Sequence, residues 1–351
     1  MSERSWSTAD FEYELPDELI AQAPPPNRGE SRLLVVRRDG ATDSGPSPLR
    51  DDRFDSLADL IPADDLLVIN TTRVRHARFI GRRPSGAASE VLLIHPAGDG
   101  SWIAMGKPGR AMQPGRVIEL GEGVGIETIE VRDDTLRRVR FIGAESHDAI
   151  ARFGRLPLPP YITRDPDSVD ADRYQTVYAE REGSVAAPTA GLHFTPTLLQ
   201  TLRQRGVTIA TLDLEVGPGT FRPVEGDDLS AHVMHSERYE IPAATGAAIA
   251  ACRQRGGHVW AVGTTVARAL ESAAQADGAV RPGAASTTLM ITPGFQFSAV
   301  DHLITNFHLP RSTLLMLVAA FAGYDRMMFA YRHAVAARYR FYSYGDAMCV
   351  V

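Results

Sequence analysis

The pattern of apolar residues changes abruptly in the first half of the chain, and this change most constrains the fold. Between residues 74 and 142, short β-like runs follow one another, with Gly and Pro between them at roughly ten-residue spacing. This pattern is typical of a small antiparallel barrel or sandwich. The runs cover residues 91–94, 102–105, 117–120, 125–131 and 136–142.

The flanking segments alternate between strands and helices, as in an α/β protein. Strands are predicted at 32–37 and 66–69, before the β-like region, and a proline-rich segment, 156–160, follows it. Beyond that segment the pattern predicts helices at 195–205, 243–255, 266–276 and 312–323, and strands at 207–216 and 258–262. The sequence therefore predicts a discontinuous α/β main domain, residues 1–73 and 153–351, with an inserted antiparallel β-barrel-like domain at 74–152.

Composition excludes several classes of protein. Of the 351 residues, 44% are apolar and 23% are charged, which is typical of a folded chain long enough for two domains. The apolar run 314–323 has about half of the ~20 residues that a membrane-spanning helix needs. Residues 1–10 lack the apolar centre of a signal peptide. We therefore expect a cytoplasmic protein with no membrane association.

Cysteine and charge usage narrow the chemistry further. Cys252 and Cys349 are too few for a disulfide framework or a thiolate metal cluster. The 37 basic residues include a single lysine, Lys107, so an individual arginine is weak evidence for phosphate binding. The net charge of −6 argues against broad attraction to nucleic acid, although a local basic patch leaves RNA open as a partner.

Two histidines three positions apart, His232 and His235, form the first candidate site. On a helix this spacing places both imidazoles on one face, where they bind a metal ion or act as acid and base. A third metal ligand is not evident in the sequence, and histidines at this spacing also occur in ordinary loops. All three interpretations stay open at this point.

Two glycine-containing segments are candidates for ligand contact. Gly263, Thr264 and Thr265 lie between a predicted strand and a helix, where free backbone N–H groups bind a carboxylate or a ribose hydroxyl. Glycine and threonine are equally normal as turn and cap residues. The small residues of segment 183–195 permit close approach of a ligand, and this segment includes the titratable His193.

The C-terminal third adds polar and aromatic candidates. Asn306 and His308 are suited to hydrogen-bond a ligand, and Tyr342 and Tyr344 to stack on a base, unless these tyrosines form an aromatic core. The chain contains neither a phosphate-binding glycine-lysine loop nor a Gly-x-Ser-x-Gly elbow. These absences disfavour a P-loop enzyme and a serine hydrolase.

Taken together, the longest motifs resemble one family, the S-adenosylmethionine:tRNA ribosyltransferase-isomerases of queuosine synthesis. The motifs include DFEYELP at 10–16, NTTR at 70–73, DRYQTVYA at 172–179 and TNFHLP at 305–310. The resemblance continues through segments 19–22, 31–34, 156–162, 183–195, 232–237, 261–265, 270–272, 312–321 and 339–348. It therefore spans nearly the whole chain.

The resemblance implies an unusual transfer reaction. The ribosyl portion of S-adenosylmethionine moves onto the 7-aminomethyl group of 7-deazaguanine at the tRNA wobble position and is isomerised. The products are epoxyqueuosine-tRNA, adenine and methionine. S-adenosylmethionine is then a co-substrate, the modified tRNA is the partner, and neither a tightly bound cofactor nor a metal is expected.

Such a reaction needs a general base, a general acid and anchors for the methionine carboxylate and the ribose. The base is needed because the sulfonium acidifies the adjacent C5′ protons. The residues expected to transfer protons are His193, His232, His235 and His308. The residues expected to anchor S-adenosylmethionine are Arg73, Thr189, Gly263, Thr264, Thr265 and Asn306.

Two positions depart from the pattern of the resembled family. Glu215 stands where a histidine commonly precedes Val-Gly-x-Gly-Thr-Phe, and residues 75–78 read Arg-His-Ala-Arg where Ile-Pro-Ala-Arg is usual. An exchange of imidazole for carboxylate reverses charge and shifts the pKa. Three consequences are open: loss of a proton-transfer step, adaptation to a different acceptor substrate, or an effect through neighbouring residues only.

These departures keep alternatives open. One is the same ribosyl transfer to a free 7-deazapurine, and another is a catalytically silent RNA- or nucleoside-binding relative. A methyltransferase is disfavoured because no glycine-rich loop follows the first strand. The resemblance also suggests a monomer.

Overall fold

The computed structural model describes residues 5–38, 47–133, 135–221, 224, 226–229, 232 and 234–351. The strands are β1 Arg32–Val36, β2 Leu49–Arg53, β3 Leu66–Asn70, β4 Thr72–Val74, β5 Arg78–Arg82, β6 Ala88–Pro96, β7 Trp102–Lys107, β8 Val117–Gly121, β9 Val124–Val131, β10 Arg137–Ile142, β11 Arg181–Ser184, β12 Thr208–Leu214, β13 Glu237–Ile241, β14 Val259–Val262, β15 Gly283–Thr287, β16 His302–Asn306 and β17 Ala347–Val350. The α-helices are α1 Leu57–Leu60, α2 Ser146–Phe153, α3 Ser168–Arg173, α4 Pro196–Gln204, α5 Ala243–Gln254, α6 Thr264–Ala273, α7 Thr313–Ala322 and α8 Tyr324–Ala336.

A nine-stranded mixed sheet, in the order β15-β13-β12-β3-β14-β16-β17-β1-β2, organises the larger part of the chain. Its central strands β12, β3, β14 and β16 run parallel. The side chains of β3 alternate between two apolar cores, Leu66 and Val68 on one face and Leu67 and Ile69 on the other. Burial on both faces explains why β3 reads as a continuous apolar run.

The sheet is covered by helices whose ends the sequence specifies. The hydroxyl of Thr195 accepts a hydrogen bond from the Leu198 amide at 3.0 Å and so caps α4. Ser312 caps α7 in the same way through the Leu315 amide, at 3.2 Å. The buried and almost wholly apolar α7 packs inside the larger core.

Six antiparallel strands form a second sheet, in the cyclic order β10-β7-β6-β5-β8-β9, so that each strand pairs with two neighbours. Inward-facing residues such as Phe79, Val91 and Ile126 form its own apolar core, which Val185 of the following region also joins. The prediction of mixed helices and sheets with an intervening antiparallel β region is therefore confirmed.

Several elements differ from the sequence prediction. The prediction did not include the strands β2, β4, β5, β11, β13, β15, β16 and β17 or the helices α1, α2, α3 and α8. It also started the helix after β14 at residue 266, whereas α6 begins at Thr264. Gly323 ends α7 as predicted, with φ at +86°, and a further helix, α8, begins at the next residue. Within the described residues no single helix is long and apolar enough to cross a bilayer. Only α7 and α8 taken together pass such a test, by length and composition, and they are bent by 115°.

The fully buried carboxylate of Asp170 joins the segment that follows the proline-rich residues 156–160 to the loop that contains Tyr344. Asp170 accepts hydrogen bonds from Arg164 at 2.5 and 2.7 Å and from the Tyr344 hydroxyl at 2.7 Å. Burial alone would raise the pKa of Asp170, but the hydrogen bonds from Arg164 and Tyr344 outweigh burial and lower it. Tyr344, a candidate for base stacking, is thus a buried structural residue.

We predict that Asp170→Asn lowers the free energy of unfolding by about 3 kcal/mol at pH 7, because it leaves Arg164 without its charge partner. Since the folded pKa is lowered, this stability is present above the unfolded pKa of about 3.9 and is lost as the pH falls through the folded pKa. Urea unfolding measures both effects. Asp172→Asn, which changes a carboxylate with a 90% exposed side chain, is the matched control and should stay within about 0.5 kcal/mol of wild type. Equal stability of the two variants would contradict the prediction.

Candidate functional site

A polar pocket lies where the parallel strands β14 and β16 end. The start of α6 forms one wall, the loop after β16 forms another, and segment 187–190 forms a third. Its polar lining consists of Tyr161, Thr189, Thr264, Thr265, Thr305, Asn306, His308, Ser312, Tyr342 and Ser343, together with the backbone of Gly263. The carboxyl edge of parallel strands is the usual place for ligands in α/β sheets.

Gly263 shapes the first wall. Its φ of +96° lies in the region that favours glycine, and its N–H donates to the Ile304 carbonyl at 2.7 Å. The chain then turns directly into α6, whose first turn has no side-chain cap. The N–H groups there carry the positive end of the helix dipole, which suits a carboxylate or hydroxyl ligand.

Asn306 and His308 form the second wall and are held by hydrogen bonds. The amide of Asn306 donates from Nδ2 to the Tyr342 carbonyl at 2.8 Å. The ring Nε2 of His308 is 2.7 Å from the Thr305 hydroxyl, and its backbone N–H donates to the Tyr331 hydroxyl at 3.0 Å. Both side chains are therefore fixed in orientation before any ligand binds.

Burial keeps His308 uncharged. Its pKa is lowered to about 3 because the imidazole is removed from water. At neutral pH the ring is therefore a neutral hydrogen-bond donor and acceptor, able to take up a proton.

His193 lies beside this pocket, at the base of a neighbouring small cavity that includes Arg28 and Ser31. Its Nδ1 is 2.8 Å from the Ser31 hydroxyl. Burial lowers the pKa of His193 to about 4, the nearby Asn306 side chain acts in the opposite direction, and Arg28 lowers the pKa further. The Asn306 side chain therefore lies next to the neutral ring of His193.

The structure brings six of the ten predicted site residues into one pocket. These six are Thr189, Gly263, Thr264, Thr265, Asn306 and His308. His193 contacts this group from the adjoining cavity. Sequence reasoning did not single out Tyr161, Thr305 and Ser312 as lining residues, because they come from separate segments and no local pattern distinguishes them from core or cap residues.

The remaining three predicted residues lie outside this lining. The Arg73 guanidinium donates to the Ala179 carbonyl at 2.7 Å, a structural bond between two segments. His232 and His235 are not on a helix, so the expected shared helical face was wrong: the described residues of this segment have no regular structure. His235 is exposed and packs against Gly219, whereas burial and the neighbouring His235 lower the pKa of His232.

Glu215, the departure from the resembled pattern, is paired. Its carboxylate accepts hydrogen bonds from Arg238 at 2.6 and 3.1 Å. Burial lowers the pKa of Arg75, and the carboxylates of Glu182 and Glu215 oppose this effect. The two departures, at positions 75 and 215, therefore act on each other electrostatically, and the Glu215 charge is directed to arginines rather than into the pocket lining.

A wider cleft adjoins the pocket. It has a volume of about 780 Å³ and lies between the β-rich region and segment 157–165. Lys107, Arg78 and Arg164 supply three cationic groups to its lining, and Glu90 and Asp165 supply two acidic groups, so positive charge is in slight excess. Val185 and Ala186 line this cleft, and the next residues, from Ala187, line the pocket. The two spaces thus share one wall.

The fold and this site define an α/β protein with a polar ligand pocket at the carboxyl edge of its sheet and a larger basic cleft beside it. A family model described as "Queuosine biosynthesis protein" matches residues 8–350. The chain belongs to this family. The resemblance found in the sequence motifs is thereby confirmed.

Proteins with similar sequences along nearly the whole chain share one name. A protein from Thiobacillus denitrificans, named S-adenosylmethionine:tRNA ribosyltransferase-isomerase, is 52% identical over 97% of this chain and 96% of its own length. A protein of the same name from Anaeromyxobacter is 50% identical, with 97% of each chain covered. The crystal structure of S-adenosylmethionine tRNA ribosyltransferase from Thermotoga maritima has a TM-score of 0.55 and 34% identity, over 97% of this chain and 100% of that chain.

We predict that the buried neutral His308 makes the protein less stable in mild acid. The unfolded histidine binds a proton near pH 6.5 and the folded one only near pH 3, so stability falls as the pH drops from about 6.5. His308→Gln should reduce the slope of unfolding free energy between pH 7 and 5 by up to about 1.4 kcal/mol per pH unit. Urea unfolding at several pH values measures this slope.

His76→Gln, which removes an exposed imidazole, is the control for loss of a histidine. An unchanged slope in His308→Gln would mean that His308 is not held neutral by burial.

Proposed function

We propose that the protein is an enzyme that transfers and isomerises the ribosyl moiety of S-adenosylmethionine onto the 7-aminomethyl group of 7-deazaguanine at the tRNA wobble position. The products are epoxyqueuosine-tRNA, adenine and methionine. The observation that carries this proposal is the convergence of separate family motifs on one pocket, formed by the start of α6, the loop after β16 and segment 187–190. Family membership and the names of relatives over nearly the full length support it.

S-adenosylmethionine is the co-substrate in this proposal, and the pocket has suitable groups for it. The N–H groups that open α6 suit the methionine carboxylate or a ribose hydroxyl, because they are donors at a positive helix end. Thr189, Thr265 and Asn306 add side-chain hydrogen-bonding groups. A residue with a Cβ would be strained at position 263, because the φ of Gly263 is positive.

His308 and His193 are the proposed proton-transfer residues closest to this ligand. The Thr305 hydroxyl also lies 3.3 Å from the Asn306 carbonyl. When that hydroxyl donates to the carbonyl, Nε2 of His308 carries the proton and Nδ1 is left as the acceptor. Because the imidazole is neutral at pH 7, its unprotonated nitrogen is available to accept the C5′ proton and to pass it on as adenine departs.

The three predicted residues outside the pocket lining, Arg73, His232 and His235, have different roles in the proposal. Arg73 is assigned a positioning role, because its guanidinium is engaged with a carbonyl. His232 and His235 stay in the proposal as proton-transfer residues, although the pocket lining does not include them. No bound metal is invoked for the reaction.

The acceptor nucleotide enters from the basic cleft in this proposal. A cleft of about 780 Å³ accommodates a nucleotide and its phosphates, and it shares a wall with the smaller pocket. Arg78 and Arg164 are held by Glu90 and Asp170, whereas Lys107 projects from an exposed strand end. Phosphate contacts of this kind position nucleic acid without reading its sequence.

The proposal includes the organisation expected from the sequence. Residues 74–152 act as an inserted domain whose β-rich surface forms one side of the cleft, and residues 1–73 with 153–351 form the catalytic domain. The protein acts in the cytoplasm as a monomer, where its tRNA substrate is present and where the buried cysteines Cys252 and Cys349 stay reduced.

Product analysis separates this reaction from its alternatives. We predict adenine and methionine release from S-adenosylmethionine only in the presence of tRNA that carries the aminomethyl deazaguanine. Release with the free deazapurine alone would favour the other acceptor, S-adenosylhomocysteine would indicate a methyltransferase, and no turnover would favour a silent binding protein. Unmodified tRNA is the matched control.

We predict that Lys107→Ala raises KM for the tRNA roughly 3- to 10-fold and leaves KM for S-adenosylmethionine unchanged, because one phosphate contact is lost. The slope of log affinity against log salt should fall by about 1. Arg116→Ala, which removes an exposed cation outside the cleft lining, is the control. Equal effects of the two substitutions would contradict tRNA entry through this cleft.

A further inference from the structure

Three metal-ligating side chains meet at the amino-terminal edge of the main sheet, opposite the pocket. Asp65 directly precedes β3, His258 directly precedes β14, and His302 is the first residue of β16. Because β14 pairs in parallel with both β3 and β16, the starts of these three strands are adjacent. One ligand atom from each residue lies within 4.8 Å of the other two.

The carboxylate of Asp65 is buried and oriented by two donors. The indole N–H of Trp260 donates to its Oδ2 at 2.7 Å, and the backbone N–H of His258 donates to its Oδ1 at 2.8 Å. Each carboxylate oxygen keeps a further lone pair, so both stay able to bind a cation. Hydrogen bonds that fix a ligand from behind are a regular feature of metal sites.

The ring of His302 is held as well, and one of its nitrogens has no partner. The ring packs on Trp260 with 4.2 Å between centroids and lies 5.2 Å from the ring of His258. Its Nδ1 is buried and forms no hydrogen bond with any described residue. A buried nitrogen without a partner is unfavourable, so this atom calls for a ligand that the described side chains do not supply.

The charged groups around this point are of both signs. Arg253 is paired with Asp301 at 2.6 Å, and Arg38 donates to the backbone carbonyl of the same Asp301. The nearest positive groups are thus directed to Asp301, while Asp65 supplies a negative charge directly at the cluster.

We propose that Asp65, His258 and His302 form a binding site for one divalent transition-metal ion of the Zn²⁺ class. Two imidazoles and one carboxylate, with water in the fourth position, are a regular ligand set for this ion, at bonds of about 2.0–2.2 Å. His258 is about half exposed, so its ring is free to adjust to the ion. The bound ion joins the starts of three strands whose opposite ends hold Gly263 and Asn306.

Zinc binding to the full-length protein, after removal of metals with EDTA, tests this site without reference to activity. We expect one Zn²⁺ per chain by calorimetry and a rise in Tm with added Zn²⁺. His258→Asn and His302→Asn should each weaken binding at least about 100-fold, since loss of an outer contact alone weakens metal sites 10- to 100-fold. His147→Asn, which changes an exposed histidine beside Asp148, is the matched control and should bind as wild type.

Co²⁺ in place of Zn²⁺ gives a second readout, because its absorption bands report the coordination geometry. His258 is exposed, so circular dichroism of His258→Asn should match wild type and exclude misfolding as the cause of lost binding. Absence of stoichiometric binding would overturn the proposal. So would zinc binding that persists in both His258→Asn and His302→Asn, since it would place the ion elsewhere, for example at His232 and His235.

Discussion

The hydrogen bond from the Gly263 N–H to the Ile304 carbonyl, at 2.7 Å, is the contact on which the pocket depends. It continues the pairing of β14 and β16 by one residue beyond the last paired position. The chain can then leave β14 with a positive φ and enter α6 at once. Without this bond the helix N-terminus and the loop of Asn306 and His308 would have no fixed relation.

A second consequence of the same architecture is the state of the histidines. The strand ends deliver His308 into a region where Tyr13 and Tyr331 surround its backbone, and His193 is enclosed from the opposite side. Burial holds both imidazoles neutral, with pKa values of about 3 and 4. A reaction that removes a proton and later returns one needs such neutral, oriented acceptors next to a water-poor pocket.

Much of this arrangement could be predicted from the sequence, for physical reasons that differ between elements. The apolar run at β3 and the caps Thr195 and Ser312 are local signals. The α/β character and several helix ends could therefore be predicted from the sequence. Gly263 with its two threonines could be proposed as a candidate because a turn between an apolar strand and a helix exposes backbone N–H groups, although the same residues are also normal in turns and caps. The antiparallel region was recognisable from the regular spacing of its Gly and Pro residues. Strand β5 was not, because Arg78–Arg82 contains two arginines and a glycine and so does not read as an apolar run.

Other features depend on contacts between distant segments and leave no local pattern. The spacing of His232 and His235 suggested a helix, but the described residues around them have no regular structure. Asp65, His258 and His302 are far apart in the sequence and meet only because three parallel strands begin at one edge. Ion pairing of Glu215 with Arg238 likewise could not be inferred from either residue alone.

The central claim is that the pocket between α6 and the loop after β16 binds S-adenosylmethionine. The most direct measurement is a crystal structure with an unreactive analogue in which the sulfonium is replaced by an amine-bearing carbon. We expect ordered analogue against the first-turn amides of α6, with the reacting ribose carbon facing His308 or His193. Analogue bound in a different cavity, with this pocket unchanged, would contradict it.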